Sequence, residues 1–86
     1  MPATLQLEVV TPEGKPCSEE VEWVTLPGIE GELGIYPQHV PLVTQIVPGE
    51  LTYLKDNQEH LLAVGPGFVR VTGNRVSVLT DMAIDA

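Results

Sequence analysis

An all-β fold, two antiparallel sheets packed face to face as a β-sandwich, is what the sequence predicts, and three observations predict it. Apolar residues recur at every second position in several short runs, no window keeps the 3.6-residue period of a helix, and turn-forming pairs interrupt the runs at spacings of about 8 to 12 residues. A chain of 86 residues has room for one hydrophobic core, because a domain of that size buries only about 60% of the surface its unfolded chain exposes. Residues 1–86 are therefore expected to form one domain.

The elements follow in order. Leu5, Leu7 and Val9 alternate with Thr4, Gln6 and Glu8, the pattern of a half-buried strand. Residues 21–26, 42–47, 50–54 and 60–64 are short runs rich in β-branched or aromatic side chains, which suit a pleated surface. Val69 and Val71 alternate with Phe68, Arg70 and Thr72, and residues 75–80 supply a further strand. Pro27-Gly28, Pro48-Gly49 and Pro66-Gly67 lie between these runs and favour turns, since proline fixes φ and glycine is permissive. Gly73-Asn74 suits a two-residue hairpin and residues 55–58 a somewhat longer one. Residues 81–86 leave space only for the beginning of a helix.

With 43% apolar and 19% charged residues, the composition is that of a folded domain rather than a disordered tail. Twelve Asp and Glu stand against four Lys and Arg, a formal net charge of −8. Nucleic acid is excluded as a partner class, because Lys15, Lys55, Arg70 and Arg75 are scattered where a phosphate backbone needs a clustered basic face. The acidity serves either solubility or a basic protein surface. Cys17 is the only cysteine, so no intramolecular disulfide can form, which fits a reducing compartment such as the cytosol. No apolar segment approaches the roughly 20 residues needed to cross a bilayer, and the N-terminus shows no export signal.

Residues that could carry chemistry are few. Glu30 and Glu32 are the most suggestive carboxylate pair, but their flanking glycines place them in a turn, where carboxylates are usually just solvated. His39 and His60 are too few for a metal site, which needs three or more converging ligands. His39 fits a loop-fixing hydrogen bond, His60 a strand edge, and Cys17 a packing or surface role. Gly14-Lys15 is followed by Pro16 and no phosphate-binding run precedes it, so nucleotide hydrolysis is disfavoured. Trp23 either packs inward or presents an aromatic anchor.

The most distinctive segment is Gly31-Glu32-Leu33-Gly34-Ile35-Tyr36-Pro37-Gln38-His39-Val40-Pro41-Leu42-Val43-Thr44, followed shortly by Pro48-Gly49. Its glycines permit positive φ or close backbone approach, and Pro37 and Pro41 stiffen it. From the residues alone it is either a rigid crossover between strands or a docking element presenting Ile35 and Tyr36 beside Glu32 and His39. Together with Leu7 to Glu13, Gly67-Phe68-Val69 and Asn74 to Ala83, it resembles the epsilon subunit of F-type ATP synthase across essentially the whole chain. Gln38 stands where that family commonly has glycine, Pro66 replaces the first glycine of Gly-Gly-Phe, and Arg70 replaces an acidic residue. The helical hairpin that usually follows the sandwich has no counterpart here.

The resemblance implies a non-catalytic central-stalk component that turns with the rotor and couples proton or sodium flow to ATP synthesis, with no cofactor. It implies two partners, the gamma subunit and the polar loops of the c-ring, at the cytoplasmic face of the inner or plasma membrane, bound peripherally and without insertion. Gly31, Glu32, Leu33, Gly34, Ile35, Tyr36, His39, Pro41 and Leu42 are the implied c-ring contacts. Val10, Thr11, Val40, Val43 and Thr44 are the implied gamma contacts. The rival reading is a free-standing β-sandwich ligand-binding module.

Overall fold

The computed structural model describes residues 3–38 and 40–85. The described residues form ten strands and no helix: β1 (Leu5–Thr11), β2 (Gly14–Val21), β3 (Trp23–Gly28), β4 (Gly31–Ile35), β5 (Leu42–Ile46), β6 (Gly49–Lys55), β7 (Gln58–Val64), β8 (Gly67–Thr72), β9 (Arg75–Thr80) and β10 (Ala83–Asp85). Hydrogen bonds join them in one path, β10-β7-β6-β3-β5-β8-β9-β1-β2, with β4 attached to β3. The pairs are antiparallel except β1 with β9, which run parallel. Residues 12–74 lie between those two strands, which is ample for the long crossover a parallel pair requires.

Alternation does what the sequence predicts. Leu5, Leu7, Val9, Val69, Val71, Val76 and Val78 are fully buried and meet Val24, Leu26, Ile35, Leu51, Leu62 and Val64 in one cluster. A path that buries one face against itself must fold over, and β3 is where it does so. Trp23 and Thr25 pair with Leu54 and Thr52 of β6, whereas Gly28 pairs with Ile46 of β5. Two backbone bonds fix the transfer: the Ile29 N–H donates to the Gln45 carbonyl at 3.1 Å and the Val47 N–H to the Pro27 carbonyl at 2.8 Å. A second seam joins β2 to β6, where Lys55 pairs with Glu19; beside it the Glu22 N–H, between β2 and β3, reaches the Leu54 carbonyl at 2.8 Å. In the same seam the Tyr53 hydroxyl neighbours the Cys17 thiol, and the Tyr53 ring stacks on His60 with centroids 5.0 Å apart.

Several local expectations change. The run 21–26 is two strands, Val21 ending β2 and Trp23 opening β3. Pro27-Gly28 is not a turn but the end of β3, paired with Glu32 and Gly31, and the chain reverses at Ile29-Glu30. Residues 55–58 make a two-residue hairpin, with Asp56 and Asn57 at φ 53° and 63°, the left-handed pair whose twist matches the flanking strands. Gly73-Asn74 is the two-residue hairpin expected. Residues 81–85 do not begin a helix; Ala83–Asp85 extends the sheet by pairing with Leu62 to Val64. Trp23 is half-buried at the start of β3, and β10 stops short of His60, which leaves that residue on an open edge.

Candidate functional site

The β3–β4 hairpin projects from the fold line. Val24 pairs with Ile35 and Leu26 with Leu33, which seats the base of the hairpin on the core, while Pro27 and Glu32 pair on the opposite side. Gly31 makes the turn possible at φ 124°, a value that a side chain would strain. The tip exposes Ile29, Glu30 and Glu32, and beyond β4 the Tyr36 ring is 58% exposed. Gly34 has no such φ; a Cβ there would meet only the Tyr36 ring edge, at 3.6 Å. The loop after β4 is pinned at Gln38, whose N–H donates to the Asn74 side-chain oxygen at 2.8 Å. Between the hairpin and β5 runs a cleft of about 350 Å³ lined by Gly28 to Leu33 and Leu42 to Thr44.

The second surface is the outward face of β5, β8, β9 and β1. Register aligns Gln45, Phe68, Leu79 and Val10 in one row and Val43, Arg70, Ser77 and Glu8 in the next. Val43, Phe68 and Leu79 are 68%, 56% and 51% exposed. Three strand spacings separate Val43 from Val10, so the apolar strip is roughly 14 Å wide. Single exposed apolar residues are ordinary, but large side chains in register on one face mark an interaction surface.

The profile of the family described as the ATP synthase delta/epsilon chain β-sandwich domain matches residues 4–86. The chain belongs to that family. It is similar to the ATP synthase epsilon chains of Herpetosiphon aurantiacus, 47% identical over 92% of this chain and 58% of that one, and of Lawsonia intracellularis, 40% identical over 96% and 62%. The chain thus spans about 60% of the length of these curated relatives. Its fold superposes on a chain of the Euglena gracilis mitochondrial ATP synthase OSCP/F1/c-ring assembly with a TM-score of 0.91 and 25% identity, covering 99% of this chain and 55% of that one. A chain of the Tetrahymena thermophila mitochondrial ATP synthase central stalk and c-ring shares the fold with a TM-score of 0.80 at 17% identity, covering 96% and 67%.

For this delta/epsilon-type sandwich the structure sorts the residues singled out from sequence. Gly31, Glu32, Gly34 and Tyr36 lie exposed on or beside the hairpin, and Pro41 is exposed before β5. Ile35 is fully buried, so it supports the loop from beneath instead of being presented with Tyr36. Leu33 and Leu42 are half-buried against the core. His39 lies outside the described residues. Val10 and Val43 share the outward face, but Thr44 points to the other side of β5, opposite Val69, and Thr11 closes the β1–β2 turn. Val40 is 71% exposed in the loop. Phe68 and Leu79, which connect Val10 to Val43, were missed; the available signal was a large apolar residue on the polar side of an alternating strand.

Among the described residues no group of three or more His, Cys, Asp or Glu is arranged to hold a metal, and no buried side-chain polar atom lacks a partner. The most perturbed groups are Tyr53 and Cys17. Burial first, then the neighbouring thiol and Glu19, pushes the Tyr53 hydroxyl up to about 12. Burial likewise pushes the Cys17 thiol up, against the Tyr53 hydrogen bond that lowers it. Both are held neutral within the seam, an arrangement suited to packing and not to nucleophilic attack.

Proposed function

We propose that residues 1–86 form one rigid, non-catalytic rotor domain of an F-type ATP synthase, joining the gamma subunit to the polar loops of the c-ring and coupling proton or sodium flow to ATP synthesis. The observation that carries this reading is the presence of two exposed surfaces that meet at β5, the hairpin with its loop and the strip from Val43 to Val10, on a domain of the delta/epsilon family. The hairpin side, through Glu32, Tyr36 and His39, contacts the c-ring; the strip, with Val40 at its border, contacts gamma. The domain sits peripherally at the cytoplasmic side of the membrane. Its contribution is mechanical: a densely packed sandwich transmits torque with little internal yielding. The identity of the relatives as ATP synthase epsilon chains, and the F1/c-ring assembly of the structural neighbour, support the rotor assignment.

Copurification tests the partners. Stoichiometric gamma is expected, and a soluble small ligand with no gamma would favour the free-standing module. Glu32→Ala then tests the hairpin. Glu32 is exposed and outside the core, so the change should shift domain stability by no more than about 0.5 kcal/mol while weakening ion pumping in reconstituted enzyme. Normal pumping with a domain that melts many degrees lower would make the hairpin purely structural.

A further inference from the structure

The strip does not share the acidity of the chain, since its two rows hold one arginine, Arg70, and one glutamate, Glu8. Of the four Lys and Arg, Lys15 and Arg75 both pair with Glu8, at 3.4 and 3.2 Å, and Lys55 pairs with Glu19. Among the described residues Arg70 is the one Lys or Arg side chain with no hydrogen-bond or ion-pair partner. It stands exposed on the outward face of β8, level with Val43 on one side and Ser77 on the other, in the row next to Phe68 and Leu79. Neither lateral neighbour can neutralise it. Three of the chain's four basic groups thus reach this face, against Glu8, Glu20 at the β2 margin, and Glu30 and Glu32 across the cleft beside Val43, although the whole chain carries −8.

We infer that Arg70 is the specificity-determining residue of the strip and that it takes a carboxylate, an Asp or Glu side chain set in an otherwise apolar patch of the partner. The inference rests on the reading that the strip docks gamma, and it replaces, for this face, the expectation that the acidic chain seeks a basic surface. A guanidinium covered by a partner loses its hydration, and only a hydrogen-bonded opposite charge offsets that loss. The planar guanidinium meets a carboxylate through two parallel bonds, which fixes orientation as well as charge. The apolar neighbours exclude water from the pair, the setting in which an arginine dominates an interface.

The experiment titrates this chain against the purified gamma chain of the same synthase at low and moderate salt, with Arg70→Met, Arg70→Glu and Phe68→Ala beside the parent. Arg70 is exposed, so both its variants should melt with the parent. Arg70→Met is expected to weaken binding by about 10-fold or more and to flatten its salt dependence, and Arg70→Glu to weaken it further. Reversing the matching Asp or Glu of gamma to Arg should restore binding to Arg70→Glu. If Phe68→Ala weakens binding while Arg70→Glu binds as tightly as the parent, the strip docks gamma but Arg70 does not read a carboxylate. If neither Phe68→Ala nor the Arg70 variants change binding, the docking reading of the strip fails as well.

Discussion

Gln38 holds a backbone conformation that glycine adopts more cheaply, φ 65°, and its N–H is spent on the Asn74 side chain. The left-handed region costs an L-residue about 1–2 kcal/mol, which gives a physical reason for the glycine common at this position in the family. Gln38→Gly should therefore leave the loop in place and raise stability by up to about 1 kcal/mol, read as a higher denaturant midpoint; a fall would mean that the side chain holds the loop. The Tyr53–Cys17 pair sets the alkaline limit. Both groups are raised above their ordinary values of 10.0 and 9.0, so the stability they contribute is present in full below those values and lost as pH rises through their folded-state values, about 12 for Tyr53. Melting temperature should decline from about pH 9 upward, more shallowly in Tyr53→Phe. An equal decline in both proteins would place the alkaline transition elsewhere.

Glycines in strands have unequal roles, and the sequence does not distinguish them. Gly67 opens β8 so close to β9 that a Cβ would overlap the Leu79 carbonyl oxygen, whereas one at Gly34 would rest against the flexible edge of Tyr36. Gly67→Ala should cost about 1–3 kcal/mol by forcing two strands apart, and Gly34→Ala less than about 0.5 kcal/mol; thermal unfolding compares them directly. A reversed order would mean that Gly34 serves the fold and not the Tyr36 surface. The strands that were legible are those with alternating or β-branched runs, β1, β5 to β9 and most of β3. β2, with Lys15, Pro16 and three polar residues around Cys17, lacks that signature because it forms an edge of the sandwich. β4 was concealed by its glycines, and β10 is too short to show a period.

At the scale of the whole molecule, the sequence carried the fold class and the family but not the folding line, since which strands adjoin is set by pairing between residues far apart in the chain. The same fact separates the two surfaces in legibility. The hairpin surface is one contiguous segment and could be read, whereas the strip draws one residue from each of several strands and exists only in register. Pairing β1 with β9 brings Gln6 beside Arg75, so much of the chain must be ordered before that contact forms. Topologies of this kind fold slowly, and refolding followed by Trp23 fluorescence should take milliseconds to seconds. Completion within about 100 microseconds would show that local hairpins suffice.

The parallel β1–β9 pair has a further consequence under tension. Force applied to the chain near Leu5 and beyond Thr80 pulls these neighbours in opposite directions along their shared axis, so their cross-strand bonds are loaded together in shear. β10, held by a short antiparallel ladder to β7, lies outside that clamp and would detach first, leaving the sandwich closed. Placing the first long strand beside the last thus makes the domain a buckle: it yields at its tail and holds at its centre.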